Sequence, residues 1–200
     1  MDVVIIKYNA GNIYSVYHAM KRLGVEPNVT ANAEEIMKAD CVIFPGQGEA
    51  AKTMEYLRAN HMDRLIKDLK QPVLGICLGL QLMCRYSAEG NTDCLGIFDV
   101  DVQRFMPQRH QDKVPHMGWN TIYDCTSPLF KGIETVDPYV YFVHSYYVPL
   151  CAHTATKTDY IVPFTSAIHK DNFYATQYHP EKSGKTGELI LRNFLNIVQR

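Results

Sequence analysis

The sequence predicts an α/β protein with a mainly parallel sheet and an antiparallel insertion. In the first half, short apolar runs alternate with helical segments, as in parallel sheets covered on both faces. From about residue 96 to 178, short alternating segments are separated by Pro, Gly and Asn, which favours antiparallel strands, with a tight turn at Asp171–Asn172. No linker or repeat interrupts the 200 residues, so we expect one domain over residues 1–200.

Four apolar runs in the first half predict the parallel strands. Pro27 weakens a hydrogen-bond ladder and places the second run at an edge of the sheet. The runs are VVIIKY at residues 3–8, VEPNVT at 25–30, CVIFPG at 41–46 and PVLGIC at 72–77.

Helices are predicted where apolar residues recur at helical spacing between capping signals. Asn12 can cap the first helix, and Asn32 with Glu35 resembles a capping box for a second. Two further helices are expected over about residues 79–86 and 184–199. Strands alternating with these helices place functional groups at the carboxyl ends of the strands.

Composition excludes several classes of protein. The net charge of −1 gives no reason to expect nucleic acid or an anionic membrane as partner, and no apolar run approaches the roughly 20 residues of a membrane span. The six cysteines show no Cys-x-x-Cys spacing, so we expect neither a metal site nor another cofactor. The start of the chain has no signal-peptide pattern, so we expect a cytoplasmic protein.

A cysteine stands on a predicted sharp turn between strand and helix. The segment GICLG places Cys77 between Gly75 and Gly79, in the Gly-x-nucleophile-x-Gly pattern of a nucleophile elbow. A helix N-terminus favours a thiolate, and the N–H of Leu78 can face a developing oxyanion. The alternative is a buried structural thiol.

A second glycine-flanked turn follows the third strand. In PGQG, glycines on both sides of Gln47 let the backbone aim an N–H into a pocket. Gln47 and Gly48 could therefore supply a second oxyanion donor. The alternative is an ordinary turn.

The segment YHPEKSG supplies a base for the thiol. If the backbone stays extended through Pro180, the side chains of His179 and Glu181 point to the same side. A carboxylate in that place can hold the tautomer of the imidazole and stabilise its protonated form. The alternative is a pair of surface side chains. For His116 and His144, the sequence favours roles in shape or hydrogen bonding over roles as bases.

These motifs occur together and in order. Pro-Gly-x-Gly, then Gly-x-Cys-x-Gly, then a late His-Pro-Glu resembles the class I (triad) glutamine amidotransferases. The segments NAGNIYSV, PHMGWN, YFVHSYY and HPEKSG resemble one branch, the glutaminase subunits of imidazole glycerol phosphate synthase in histidine biosynthesis. The resemblance runs from about residue 3 to 198 and implies a three-layer, flavodoxin-like fold.

The resemblance also implies roles for single residues. Cys77 would attack the side-chain amide of glutamine, His179 would shuttle the proton, and Glu181 would orient His179. Leu78 and the turn at Gln47 and Gly48 would provide the oxyanion donors. The residues implied to bind glutamine are Gln81, Glu89, Ser145 and Tyr146, the last two through their backbone.

A partner follows from the resemblance as well. The ammonia would pass to a cyclase subunit, a (β/α)8 barrel, which would use it to make imidazole glycerol phosphate and an aminoimidazole carboxamide ribotide. The residues implied to lie at this heterodimer interface are Asn12, Ser15, Met117, Trp119, Asn120 and Lys182. For Trp119, core packing is the alternative.

Three other functions stay open from the sequence. The chain could be the glutaminase of another amidotransferase, serving nucleotide, folate or pyridoxal phosphate synthesis. It could be a Cys-His hydrolase that acts on peptides without a partner, or a binding subunit that has lost its chemistry. Lys7, Gln47 and Glu49 depart from residues common in the family.

Overall fold

A seven-stranded central sheet organises the molecule. The computed structural model describes residues 1–8, 13–135 and 138–198. Strands β1 (Val3–Ile6), β2 (Asn28–Thr30), β3 (Cys41–Gly46) and β4 (Val73–Cys77) are the four predicted parallel strands. Their order is β4, β3, β1, β2, so β2 lies at the edge, as Pro27 indicated.

Helices cover both faces of this sheet. They are α1 (Ile13–Arg22), α2 (Ala33–Lys38), α3 (Ala50–Ala59), α4 (Met62–Asp68), α5 (Leu78–Met83) and α6 (Gly184–Val198). Apolar residues of α1 and α6 pack on one face, and those of α2 to α5 pack on the other. Adjacent strand residues alternate between the two cores: Val3 and Ile5 face one, Val4 and Ile6 the other. The predicted three-layer α/β fold is confirmed.

The second half of the chain forms more strands. They are β5 (Cys84–Ser87), β6 (Thr92–Asp93), β7 (Phe98–Arg104), β8 (His116–Thr121), β9 (Tyr139–His144), β10 (Tyr146–Tyr147), β11 (Thr154–Asp159), β12 (Pro163–Lys170) and β13 (Phe173–Thr176). Strands β11 to β13 extend the central sheet, where β13 runs parallel to β4. Strands β8 and β9 pair antiparallel, and β10, β7, β5 and β6 form a separate sheet. The antiparallel prediction therefore holds for most of these pairings, but β5 and β7 are parallel.

The structure agrees with most of the sequence signals that predicted helix caps and turns. The side chain of Asn32 accepts hydrogen bonds from the N–H groups of Glu34 and Glu35, as a helix N-cap does. The capping box is only half formed, because the Glu35 carboxylate accepts from the side chain of Asn28 and the N–H of Asn32 donates to Oγ1 of Thr30. The turn at Asp171–Asn172 joins β12 to β13, with Asp171 at φ 53°. Asn12 lies outside the described residues.

The helix predicted over about residues 79–86 is too long. It ends at Met83, because Cys84 enters β5 and pairs with Phe98 of β7. Short 3-10 turns occupy Pro128–Phe130, Ile133–Thr135 and Pro180–Lys182. In the part of the chain that the structure describes, no helix is both long and apolar enough to cross a membrane.

Candidate active site

A cavity of about 520 Å³ opens at the carboxyl ends of β3 and β4, where a parallel sheet is expected to bind ligands. Every residue predicted for the nucleophile, the base, the oxyanion turn and glutamine binding lines it. The triad carboxylate of Glu181 lies behind His179. The lining residues are Gln47, Gly48, Cys77, Leu78, Gln81, Glu89, Pro115, Tyr141, Val143, His144, Ser145, Tyr146, His179 and Lys182.

Cys77 stands on a strained turn between β4 and α5. Its φ of 54° and ψ of −106° are unusual for a residue with a side chain, and such strain is typical of a nucleophile elbow. Gly79 makes this turn possible, because a Cβ there would lie 2.0 Å from the carbonyl oxygen of Phe44. The sequence therefore folds into the sharp turn that the Gly-x-Cys-x-Gly pattern predicts.

The thiol of Cys77 is buried but reaches the cavity. Its sulfur lies 3.9 Å from the carbonyl oxygen of Val143 and 3.7 Å from Nε2 of Gln177. The Gln177 amide can donate a hydrogen bond to the sulfur. Gln177 is fully buried and also accepts a hydrogen bond from Gln81 through Oε1, at 3.0 Å.

His179 and Glu181 form a buried pair next to Cys77. Nδ1 of His179 lies 2.8 Å from Oε1 of Glu181. The carboxylate accepts the Nδ1 proton, so Nε2 is the ring nitrogen left for the thiol and the substrate. The condition of an extended backbone through Pro180 is not met, because Pro180–Lys182 form a 3-10 turn, which still brings the Glu181 carboxylate to Nδ1 of His179.

The surroundings of His179 favour its charged form. Burial on its own would lower its pKa, but the contacts with Cys77 and Glu181 outweigh burial and raise the pKa from 6.5 to about 10. The imidazolium is thus held between a carboxylate and a thiol that can become a thiolate. Such a site is poised to donate a proton to a leaving group.

The glycine-rich turn after β3 also borders the cavity. Gly48 has a φ of 115°, which side-chain-bearing residues rarely adopt. The hydroxyl of Tyr8 donates to the carbonyl oxygen of Pro45 and fixes the start of the turn. A Cβ at Gly46 would lie 2.7 Å from Cβ of Leu78, so the two proposed oxyanion segments pack closely together.

Two of the predicted glutamine-binding residues, Gln81 and Tyr146, are joined by a hydrogen bond in the wall of the cavity. The amide nitrogen of Gln81 donates to the carbonyl oxygen of Tyr146 and to Oε1 of Gln177, both at 3.0 Å. Both of its hydrogens are then used, which leaves Oε1 of Gln81 to accept from a substrate. The carbonyl of Ser145 accepts from the N–H of Phe105 at 3.0 Å, which fixes the neighbouring backbone.

Glu89 also lines the cavity. Its Oε2 accepts a hydrogen bond from the N–H of Ala50 at 2.9 Å, at the start of α3. Burial raises the pKa of Glu89, the bond from Ala50 opposes this, and the charge of Glu49 adds to it. A cationic group placed beside the Glu89 carboxylate would relieve the unfavourable burial, as an α-ammonium could.

An exposed, largely aromatic surface adjoins the cavity. We call it the docking face; its residues share the outer side of the β8–β9 hairpin and are Met117, Trp119, Tyr139, Tyr141 and Val143. Met117 is 63% exposed and Trp119 is 56% exposed, so Trp119 is not a core residue. The ring of Trp119 meets that of Tyr141 edge-on, with centroids 6.0 Å apart.

The other predicted interface residues that the structure describes, Lys182, Ser15 and Asn120, do not belong to the docking face. Lys182 is exposed and lines the cavity, and a cleft beside it is shared with α1, which carries the half-buried Ser15. Asn120 is half-buried on β8, with its amide donating to the carbonyl oxygen of Asp159 at 2.9 Å. Asn12 lies outside the described residues.

Two functional contacts were missed from the sequence. Gln177 precedes His179 by two positions, and in an extended segment such residues share a side, which could have revealed it. Tyr8 is the last residue of the first apolar run, and this position gives only a weak indication that its side chain contacts the turn beside the cavity. Among the described residues, no group of three His, Cys, Asp or Glu side chains is arranged to hold a metal ion.

Comparison with known proteins gives consistent likenesses. The sequence profile of the glutamine amidotransferase class-I family matches residues 4–198, a range that includes every residue lining the cavity. A protein named imidazole glycerol phosphate synthase subunit HisH, from Bacteroides thetaiotaomicron, is 66% identical over 98% of this chain and 100% of its own length. The protein of the same name from Escherichia coli K12 is 44% identical over the same shares.

Solved structures resemble the fold at lower identity. A crystal structure of a glutamine amidotransferase has a TM-score of 0.73 at 16% identity and covers 98% of this chain and 99% of its own. Another, from Thermotoga maritima, has a TM-score of 0.62 at 14% identity and covers 100% and 84%. At such identities the likeness concerns the fold.

Proposed function

The chain belongs to the class-I glutamine amidotransferase family, and from this premise we propose how its residues carry out the reaction and where the product goes. It is a glutaminase, the amidotransferase subunit of imidazole glycerol phosphate synthase in histidine biosynthesis. The rival branches of the family and the peptide hydrolase are therefore set aside. The proposal rests on one observation: Cys77, His179 with Glu181, Gln81 and Glu89 converge on one cavity and its wall.

The first half-reaction forms a thioester. The thiolate of Cys77 attacks the side-chain amide carbon of glutamine, and the oxygen becomes an oxyanion facing the N–H groups of Leu78 and of the turn at Gln47 and Gly48. Protonated His179 gives its Nε2 proton to the nitrogen as the C–N bond breaks. Ammonia leaves, and a γ-glutamyl thioester remains on the sulfur.

The second half-reaction restores the enzyme. Neutral His179 takes a proton from water, whose oxygen attacks the thioester carbon, and the C–S bond then breaks. Glutamate leaves and Cys77 is again a thiolate beside an imidazolium. Glu181 holds Nδ1 throughout, so that Nε2 always faces the reacting groups.

Glutamine is held at both ends of the cavity in this proposal. The carboxylate of Glu89 pairs with the α-ammonium group, and Oε1 of Gln81 accepts from an N–H of the substrate. The backbone around Ser145 and Tyr146 completes the wall. The bond from Ala50 to Glu89 and the bonds of Gln81 to its neighbours fix these groups before substrate arrives.

The ammonia passes to a partner. As a synthase subunit the chain works with a cyclase, which we propose is a (β/α)8 barrel bound as a heterodimer. The partner would cover the docking face and contact Ser15, Asn120, Lys182 and Asn12, the last of which lies outside the described residues. It would use the ammonia to close an imidazole ring, with imidazole glycerol phosphate and the aminoimidazole carboxamide ribotide as the products. Exposed aromatic side chains beside the cavity support this location of the interface.

We also propose one amidotransferase domain over residues 1–200 and a cytoplasmic location. All six cysteines are free thiols, which is typical of a reducing compartment.

Glutamate release from glutamine tests the proposal. The purified chain would be measured alone and with the matching cyclase subunit and its nucleotide ligand. We expect low activity alone, a large rise with the partner, and none with Cys77→Ala. Cys94→Ala, which removes a thiol outside the cavity, is the matched control and should retain activity. Substantial turnover by Cys77→Ala would overturn the thiolate mechanism, and full activity without the cyclase would overturn the role of the partner.

A further inference from the structure

Two buried histidines that the triad does not use stand face to face beside the cavity. His116 on β8 and His144 on β9 are directly opposite each other in the hairpin register. Nδ1 of His116 lies 3.1 Å from Nε2 of His144, and His144 lines the cavity. Both side chains are almost completely buried.

The hydrogen bonds fix which nitrogen of each ring carries the proton. Nδ1 of His144 lies 2.7 Å from the carbonyl oxygen of Tyr146, which can only accept, so Nδ1 must carry a hydrogen. Nε2 of a neutral His144 is then an acceptor, and it requires the donor to be Nδ1–H of His116. Nε2 of His116 is left to accept from the amide of Asn120, at 3.4 Å.

Burial keeps both rings in this neutral state. It lowers the pKa of His116 from 6.5 to about 4. Burial also lowers the pKa of His144 to about 3, although the bond to Tyr146 opposes this shift. Positive charge on His116 or His179 acts in the same direction as burial. A proton added to Nε2 of His144 would leave two N–H groups facing each other, which the pair cannot accommodate.

Aromatic packing holds the outer ring in place. The imidazole of His116 is stacked on Tyr160, with centroids 4.0 Å apart and planes 19° apart, and on Phe142, at 4.7 Å and 22°. A ring held by such stacking cannot flip to exchange its two nitrogens without disturbing both neighbours. The direction of the hydrogen bonds is therefore built into the packing.

The inner end of the chain of bonds reaches the substrate wall. The carbonyl oxygen of Tyr146 accepts from both His144 and Gln81, which uses both of its lone pairs. Gln81 in turn bonds Gln177, whose amide reaches the sulfur of Cys77. Hydrogen bonds thus run without a gap from Asn120 on the docking hairpin to the nucleophile.

We propose that His116 and His144 are positioning residues for glutamine, a relay of fixed tautomers that orients the Tyr146 carbonyl and, through it, Gln81. This inference rests on the proposed binding of glutamine by Gln81. A purely space-filling role for the two rings makes a different prediction, since a ring of similar shape without nitrogens would then serve as well.

Kinetics of the complex with the cyclase subunit test the relay. His144→Phe keeps a ring and removes the donor, so we expect KM for glutamine to rise about tenfold, the effect of one lost buried hydrogen bond, with kcat changed less. His144→Asn retains an N–H near the position of Nδ1 and should recover most of this loss. His116 contacts the Tyr146 carbonyl only through His144, so His116→Phe should raise KM less than His144→Phe does. Equal KM in wild type and His144→Phe, or no recovery with Asn, would overturn the relay.

Nitrogen-15 NMR of the imidazole rings in the wild-type chain provides a second measurement that needs no variant to fold. Both rings should appear as neutral Nδ1–H tautomers, the less common form of free histidine. An Nε2–H tautomer or a charged ring at neutral pH would overturn the inference. If the wild-type complex failed to hydrolyse glutamine, the proposed function would fall, whereas the tautomers would still report on the relay itself.

Discussion

The amide nitrogen of Gln177 lies 3.7 Å from the sulfur of Cys77. Gln177 is fully buried, and its Oε1 is held by Gln81, so the amide cannot rotate without losing that bond. Because Gln177 and His179 are two residues apart after β13, the end of one strand supplies two neighbours of the nucleophile. The sulfur of Cys77 therefore has a neutral donor beside it as well as the imidazole of His179.

Gln177→Met should lower kcat/KM for glutamine about 10- to 100-fold in the complex, which corresponds to about 1.4–3 kcal/mol for a hydrogen bond to a charged group. Methionine keeps the length of the side chain and removes both polar atoms. Gln103→Met, the same change at an exposed residue of β7, is the control and should have little effect. Turnover of Gln177→Met equal to that of wild type would show that the amide does not act on the sulfur.

Glu181→Gln should lower glutamine hydrolysis less than His179→Ala or Cys77→Ala does, because Glu181 orients the base and does not react. An amide at position 181 can donate to Nδ1 and favour the wrong tautomer, so the loss should still be large, about 10²- to 10⁴-fold. Steady-state kinetics of the three variants in the complex decide the order. Equal losses in all three would indicate a larger part for Glu181 in the chemistry.

The raised pKa of His179 predicts a loss of stability on the alkaline side. A group whose pKa is 6.5 when unfolded and about 10 when folded stabilises the fold fully below pH 6.5, and this contribution is lost as the pH rises toward 10. A thiolate at Cys77 would have lost the proton that His179 keeps, so the test uses chains without this thiol, in which Glu181 still raises the pKa of His179. Chemical denaturation at pH 6.5 and 8 should show a fall for Cys77→Ala and a smaller fall for Cys77→Ala/His179→Gln. This window ends before the cysteines of the unfolded chain ionise, near pH 8.5. Equal slopes in the two proteins would contradict the prediction.

The lowered pKa values of His116 and His144 predict a loss of stability on the acidic side. For His116 and His144 the pKa is lower in the folded chain, so their contribution is present above pH 6.5 and is lost as the pH falls toward 4 and 3. The free energy of unfolding measured from pH 6.5 to 5 should fall less steeply in His116→Phe than in wild type. His18→Phe, at an exposed position of α1, should keep the wild-type slope. A His116→Phe slope as steep as that of wild type would be inconsistent with a neutral buried His116.

Local signals explain what the sequence could predict. The strands β1 to β4 follow from apolar runs, and the turn at Cys77 follows from Gly75 and Gly79, because these depend on neighbours in the chain. The end of α5 at Met83 could not be predicted, since it depends on the pairing of Cys84 with the distant Phe98.

Long-range packing decides the rest of the site. The bond from Gln177 to Cys77 spans 100 positions and exists only because β13 pairs with β4 in one register. Likewise, the tautomers of the histidine pair depend on the hairpin that brings β8 to β9. The sequence favoured roles in shape or hydrogen bonding for these two histidines, but their hydrogen-bond partners depend on the fold.

Trp119→Ala should weaken binding of the cyclase subunit more than it destabilises the chain. The side chain is 56% exposed, so its loss should shift the melting temperature by only about 2–3 °C, whereas truncation of an aromatic anchor in an interface raises Kd roughly 10- to 30-fold or more. Titration of labelled chain with cyclase gives Kd, and thermal unfolding of the free chain gives the melting temperature. Met37→Ala is the control and should change neither quantity, because this 55% exposed residue lies on α2, which packs in the core on the other face of the central sheet from that of β9. A large drop in melting temperature with unchanged Kd would return Trp119 to a packing role and remove the main support for this docking face.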